Sequence, residues 1–236
     1  MHILITGASK GIGLATAKAI ASDGEHHLYL VSRNRELLEE AANDINNNTA
    51  SKAYSMPIDL QKTAELKEWI KETLSMQTEV IDVLINNAGY LVNKRMEEIT
   101  EGDLERSVDI NFKAPFFLVQ QLLPLMARSN VRHIVNISSM GGFQGSSKFP
   151  GLSVYSATKG ALSTLTECLY AELADREYRV NCLALGAVNT EMLQAAFPGL
   201  EAPTEADEMG EYIANFALHQ WLYFNGKILP VTSSNP

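Results

Sequence analysis

The sequence predicts an α/β protein with a single domain, built on a doubly wound, seven-stranded parallel sheet flanked by helices. Short apolar runs alternate with helical patterns along almost the whole chain, and strands that alternate with helices pair in parallel through right-handed crossovers. No stretch between them has the length of an interdomain linker. The first apolar run passes directly into the glycine-rich turn Gly7-Ala-Ser-Lys-Gly-Ile-Gly13 and then into a helical pattern, the order of elements that makes an anion site at a helix start.

Taken in order, His2-Ile-Leu-Ile-Thr6 is a short buried strand over 2–6, and the stretch from Leu14 to Ala21 carries a helix over 12–23. Leu28-Tyr-Leu-Val31 marks the second strand, 27–32, followed by a helix over 35–46 and a polar turn at Asn46-Asn-Asn48. Strand 52–58, helix 62–75 and strand 80–85 come next. The long helical pattern 101–128 holds Pro115 and Pro124, each of which removes a backbone donor and bends the helix locally. Strand 131–137, helix 156–175, strand 179–184, helix 205–219 and strand 227–231 complete the alternation. Residues 186–203 have no regular pattern but carry Met192, Leu193, Phe197 and Leu200.

In the glycine turn, unpaired N–H groups of the helix start point at a phosphate, and Gly7, Gly11 and Gly13 let the backbone approach it. The spacing differs from G-x-G-x-x-G, and a plain glycine-rich turn fits the same residues; the position after an N-terminal strand favours a dinucleotide. An NAD site offers a carboxylate to the ribose 2′-hydroxyl near the end of the second strand, where this chain has Ser32-Arg33 instead. Arg33 in the fork geometry of a guanidinium, with Lys10 as a second cation, suits a 2′-phosphate, which points to NADP(H) as the preferred cofactor.

Tyr155 and Lys159 stand four residues apart at the start of a helix, so phenol and ammonium share one face about 6 Å apart along the axis. A cation beside a phenol favours the phenolate and lowers its pKa toward the range useful to a general acid or base. The same spacing also suits a packing ring and a solvated charge, and only agreement with other motifs separates the two.

That agreement is found. The chain resembles a short-chain dehydrogenase/reductase of the compact single-domain kind, with a Rossmann-type fold, from residue 2 to about 231. Thr6 to Gly13, including Ser9 and Ile12, resembles the family's cofactor loop, Asp59-Leu60 its adenine-contacting pair, and Asn86-Asn87-Ala88-Gly89 the motif closing its fourth strand. Val188 and Thr190 follow the sixth strand where the family again meets the cofactor. Asn111, Ser139, Tyr155 and Lys159 match its catalytic tetrad, with Ser138 a rival for the serine. The resemblance implies that Tyr155 is the proton donor in reduction and the base in oxidation. Lys159 lowers its pKa and holds the nicotinamide ribose, Ser139 hydrogen-bonds the substrate oxygen, and Asn111 holds a water that links Lys159 to solvent.

Three departures stand out. The loop Phe143 to Ser153 is enlarged, Leu185-Gly186 replaces the common Pro-Gly, and the chain ends in Ser-Ser-Asn-Pro236 where relatives often carry Gly-Gly. By resemblance, loop 143–153 and a lid at 186–203 flank the substrate. Phe143, Phe149, Met192 and Phe197 then suggest an apolar pocket for a small or medium, mostly apolar carbonyl compound. The resemblance also implies a homodimer or homotetramer joined through helices 101–128 and 156–175, with Phe116, Phe117, Leu165, Leu169 and Leu173 as candidate contacts.

Composition narrows the alternatives. The 236 residues suffice for one large domain, and 46% hydrophobic with 20% charged residues is ordinary for a soluble globule. A net charge of −9 without a dense basic run argues against nucleic acid. Cys168 and Cys182 lack metal spacing, read as buried thiols and suit a reducing cytoplasm; five scattered histidines make no metal pairing. The chain opens on its first strand and has no apolar run of membrane length, so a soluble, cytoplasmic protein is expected. The acidic run from Glu201 to Glu211 reads as a solvated helix start. A carbonyl reductase or alcohol dehydrogenase dependent on NADP(H) is the first reading. A dinucleotide-binding redox sensor or scaffold is the second, although such a protein has no need of all four tetrad residues. A nucleotide-sugar epimerase needs more chain after residue 186 than there is.

Overall fold

The computed structural model describes residues 1–233; the last three residues of the departing tail lie outside them. Seven strands form one parallel sheet: β1 (His2–Thr6), β2 (His27–Ser32), β3 (Lys52–Pro57), β4 (Val83–Asn86), β5 (His133–Ser139), β6 (Arg179–Leu185) and β7 (Ile228–Val231), in the order β3-β2-β1-β4-β5-β6-β7. The chain winds from β1 outward to β3, then crosses back to β4 on the other side of β1. Between β1 and β4 the connections leave in opposite directions, which opens a crevice at the carboxyl ends of the strands.

Strand alternation divides the core. Ile3, Ile5, Leu28, Leu30, Val83 and Ile85 face one side, against α1 (Gly11–Asp23), α2 (Arg35–Asn48) and α8 (Ala206–Asn215). Leu4, Tyr29, Val31, Leu84 and Ile134 face the other, against α3 (Leu66–Glu72) and α5 (Ala114–Met126). Each such side chain, taken from water to full burial, contributes about 1.5–3 kcal/mol.

Several elements differ from the sequence reading. Helix α2 runs through Asn48, so the asparagine tract is its last turn rather than a loop. Asn46 there donates to the Ala53 carbonyl at 3.0 Å and accepts from the Ala53 N–H at 2.8 Å. Strand β4 begins at Val83 rather than at residue 80, and β5 runs on to Ser139. The long helix 101–128 divides into α4 (Glu101–Val108), a π-helical turn (Asp109–Lys113) and α5. Pro115 sits in the first turn of α5, where a missing backbone donor is tolerated. Helix α6 (Ser153–Leu173) carries the Tyr155/Lys159 pair, and the unpatterned stretch after β6 contains the short α7 (Glu191–Ala196), capped by Thr190. Cys182 is buried as expected, whereas Cys168 is exposed on α6.

The two outer strands have few free backbone donors. On β3 the N–H groups of Lys52 and Ile58 point inward to β2, so Ala53, Ser55 and Pro57 point outward. Asn46 occupies both groups of Ala53, and Pro57 has no N–H. On β7 the carbonyls of Lys227 and Val231 pair with β6, which leaves Ile228 and Pro230 facing outward.

Candidate active site

The sequence-predicted site residues gather at the carboxyl ends of the strands. Thr6 closes β1, and its hydroxyl accepts from the N–H groups of Asn87 at 3.0 Å and Ala88 at 2.9 Å, just beyond β4. The Asn87 amide donates to the Thr6 carbonyl at 2.9 Å. These bonds pin the two sides of the crevice together and leave no room inside the glycine turn. A Cβ on Gly13 would lie 2.3 Å from the Gly7 carbonyl oxygen, and one on Gly7 would lie 2.9 Å from the Ala88 Cα. Gly7 and Gly11 also have φ of +69° and +55°, the left-handed region that favours glycine. A backbone cradle opens onto the start of α1, which fits a pyrophosphate.

The Gly7 and Ala8 N–H groups both reach the Val31 carbonyl, at 2.7 and 3.2 Å, and so bring the end of β2 against the turn. Lys10 at the cap of α1 and Arg33 just past β2 are exposed and form no ion pair among the described residues. Asp59 lies beyond β3 with its carboxylate accepting the Gln61 N–H at 3.1 Å, and Leu60 is buried. Ser9 and Ile12 are half-buried in the turn. Val188 is buried after β6, and the Thr190 methyl would lie 3.6 Å from a Cβ on Gly11, which places the start of the 186–203 stretch against the glycine turn.

Asn111 is wholly buried in the π-helical turn. Its side chain grips the backbone of Tyr90 on both sides, accepting from the N–H at 2.8 Å and donating to the carbonyl at 2.9 Å, and it also donates to the Thr158 hydroxyl at 2.9 Å. Lys159 is 3% exposed, and its ammonium donates to the Ile137 carbonyl at 2.7 Å. A Cβ on Gly89 would lie 3.4 Å from the Lys159 Nζ and 3.6 Å from the Asn111 Oδ1, so Gly89 packs beside both polar groups. The rival serines separate. The Ser138 hydroxyl donates to the Lys159 carbonyl at 2.9 Å, whereas the Ser139 hydroxyl, which accepts from the Gly141 N–H at 3.1 Å, stands on the Tyr155 side and bears on its phenol.

One expectation reverses. Burial pushes the Tyr155 phenol up, with the hydrogen bond from Ser139 opposing it, and Lys159 does not draw the phenol down. The ammonium sits 5.9 Å from the ring centroid and is engaged by the Ile137 carbonyl. Burial in turn pushes Lys159 down to about 8. The site thus holds a protonated phenol beside a lysine whose burial lowers its pKa to about 8.

The apolar side chains expected around the substrate are only partly brought together in one groove. Phe143 and Phe149 line a groove of about 790 Å³ with Arg95, Met96 and Pro150, while Met192 and Phe197 lie apart from it on the lid. Within the 143–153 loop the Ser146 hydroxyl bonds the Met140 carbonyl and the Lys148 ammonium bonds the Phe143 carbonyl. Sequence reasoning also missed Tyr90, Thr158 and the Ile137 carbonyl, whose parts in the site depend on contacts across the fold. The candidate subunit contacts divide as well. Leu165 and Leu173 are buried, Phe117 and Leu169 pack against the core, and Phe116 stays 38% exposed.

Known proteins resemble this chain over most of its length. The short chain dehydrogenase family matches residues 1–201. An uncharacterized oxidoreductase of Staphylococcus aureus (strain MW2) is 30% identical over 223 residues, covering 94% of this chain and 92% of that protein. A 3-ketoacyl-(acyl-carrier-protein) reductase from Brucella melitensis, solved with NADH, is similar with a TM-score of 0.84 at 27% identity, over 98% of this chain and 96% of that one. An L-sorbose reductase from Gluconobacter frateurii, solved with NADPH and L-sorbose, shares the fold, with a TM-score of 0.85 at 23% identity over 99% and 95% of the two chains. The chain therefore belongs to the short chain dehydrogenase family: it is an oxidoreductase of that type, on a fold that binds a nicotinamide dinucleotide.

Proposed function

We propose that this protein is an NADP(H)-dependent oxidoreductase that interconverts a carbonyl compound and a secondary alcohol, with Tyr155 as general acid and base. The observation that carries this reading is the meeting of Ser139, Tyr155, Lys159 and Asn111 at the mouth of a crevice whose far end holds a glycine cradle. NADPH, when bound, supplies the hydride. Tyr155, held protonated by burial, gives its proton to the substrate oxygen, and Ser139 donates a hydrogen bond to the charge developing there. Lys159 orients the cofactor ribose and, being pushed down to about 8, is a ready source of the returning proton. The grip of Asn111 on Tyr90 fixes the wall beside Lys159, the place for a water leading outward. A binder without turnover has no use for this polar constellation, so the sensor reading ranks below it.

The preference for NADP(H) rests on the two unpaired cations, Lys10 and Arg33, and on the lack of a carboxylate at the end of β2. Arg33→Ala should weaken NADPH binding by roughly 1.5–3 kcal/mol with little change for NADH. Fluorescence titration of both cofactors checks this, and equal affinity of the unaltered protein for the two would remove its basis. The substrate is proposed to be small or medium and mostly apolar. A screen of ketones, aldehydes, quinones and secondary alcohols for NADPH consumption or formation tests the activity itself.

We further propose a cytoplasmic homodimer or homotetramer. Leu104, 47% exposed, and Phe116, 6.5 Å from Phe112, lie on the outward side of α4 and α5 and are suited to a second copy. Sedimentation at micromolar protein should give twice or four times the mass of the chain; a monomer at moderate salt would exclude this. Among the described residues no helix is long and apolar enough to cross a membrane.

A further inference from the structure

The lid between β6 and α8 is tied chiefly to itself. The Asn189 amide donates to the Ala202 carbonyl at 3.1 Å, its oxygen accepts from the Ala202 N–H at 2.7 Å, and its own N–H reaches the Thr204 carbonyl at 2.9 Å, so the two ends of the excursion are joined at its base. Within it, Gln194 bonds the Leu200 carbonyl and the Gly199 N–H. Among the described residues, 190–201 make one hydrogen bond outside the 189–205 excursion. The Asn93 amide donates to the Ala196 carbonyl, at the end of α7, at 2.8 Å.

The same short segment receives the enlarged loop. The Lys94 N–H donates to the Gly151 carbonyl at 3.0 Å, and Gly151 has a φ of +88°. A Cβ there would stand 2.0 Å from the Asn93 Oδ1, so the loop passes Asn93 closely only as glycine. Beneath, the Lys94 ammonium is anchored on Asp103 of α4 at 2.6 Å. Asn93 therefore lies between two long connections. One begins at Thr190 against the glycine turn, and the other leads into α6, whose first residue, Ser153, stands two before Tyr155.

We propose that Asn93 is a positioning residue that couples the lid to the loop 143–152, so that settling of the lid on bound cofactor also orders the substrate side of the site. This rests on the dinucleotide reading above. Without the Asn93 bond the lid can still close on the cofactor, but its closure is no longer passed to the loop.

Hydrogen exchange followed by mass spectrometry, with and without saturating NADPH, tests the coupling in the full chain. In the unaltered protein NADPH should slow exchange in the glycine turn, in the lid and in residues 143–152, the last by about threefold or more, the order of one added hydrogen bond in a closed state. In Asn93→Ala the turn and the lid should still be protected, and residues 143–152 should not. Asn93→Asp keeps the oxygen facing Gly151 but loses the amide donor, so it should behave like Asn93→Ala. Protection of 143–152 that persists in both variants, or that never arises in the unaltered protein while the turn is protected, would overturn the coupling. No protection of the glycine turn by NADPH or NADH would instead overturn the dinucleotide reading, so the two failures are distinguishable. A variant that unfolds would lose protection everywhere without cofactor, and Asn93→Gln, which retains an amide, is then expected to restore at least part of the loop protection; its failure to do so would also count against the proposal.

Discussion

Tyr155→Phe is expected to lower turnover by about 10²–10⁴-fold while leaving the fold and NADPH affinity nearly unchanged, because the ring and its packing stay and only the hydroxyl goes. The loss should fall on the rate at saturating NADPH. A variant keeping more than about a tenth of the activity would be incompatible with proton donation by this phenol. Lys159→Met should lose more, since it removes a ribose contact as well as a charge that returns the proton. The two losses should be strongly non-additive, as for groups that act through one transfer. With Lys159 pushed down to about 8, the rate of carbonyl reduction should fall as pH rises through that value. The bend should be absent from the residual activity of Lys159→Met.

A second large effect is expected far from the crevice, at His133. This residue starts β5, wholly buried, with Nδ1 placed 3.1 Å from the Ala217 carbonyl and Nε2 placed 3.3 Å from the Asn181 amide nitrogen. A carbonyl only accepts, so Nδ1 carries the hydrogen and Nε2 is the acceptor. The Asn181 amide is fixed in the donating sense because its nitrogen also donates to the Phe224 carbonyl and its oxygen accepts from Lys227. A second proton on Nε2 would face a donor. Burial first, then the Arg179 charge, push His133 down to about 4, against the opposing bond to Ala217. The unfolded chain takes up this proton near pH 6.5 and the folded one only near 4, so the unfolded state binds more protons in between and stability falls as pH drops through that window. The full difference amounts to roughly 3 kcal/mol. Urea midpoints measured from pH 7.5 to 4.5 should therefore decline more steeply for the unaltered protein than for His133→Gln, and parallel curves would show that the ring does not titrate this way.

How much of this was legible beforehand follows the range of the interactions. Strands β1 and β2 were read to the residue because their apolar runs are local and bounded by turn residues. The division of the long helix was not, because Leu, Val and Phe continue the apolar pattern through the π-helical turn, and only Pro115 hinted at a break. Helix α7 carried a legible signal in Thr190, a capping residue followed by Glu191, but is too short to impose a period. In the site, the glycine turn and the Tyr155/Lys159 pair depend on neighbours within a few residues. The direction of the Tyr155 shift does not, since it reflects how far the surrounding fold desolvates the phenol of this half-buried residue. Asn93 meets Ala196 and Gly151 across 103 and 58 positions, and no spacing in the sequence announces such a meeting.

The outward prolines of β3 and β7, with Asn46 set over Ala53, have a consequence for the molecule in a crowded solution. A parallel sheet that ends in a bare strand is a template on which another chain can lengthen it, and repeated addition leads to fibrils. Here an incoming strand would find a proline at one outward position of each edge, and on β3 an asparagine already bonded to the next. Growth of the sheet by accretion is hindered at both margins, so the helical faces are the better surfaces for any self-association, where it can close as a symmetric assembly instead of running on.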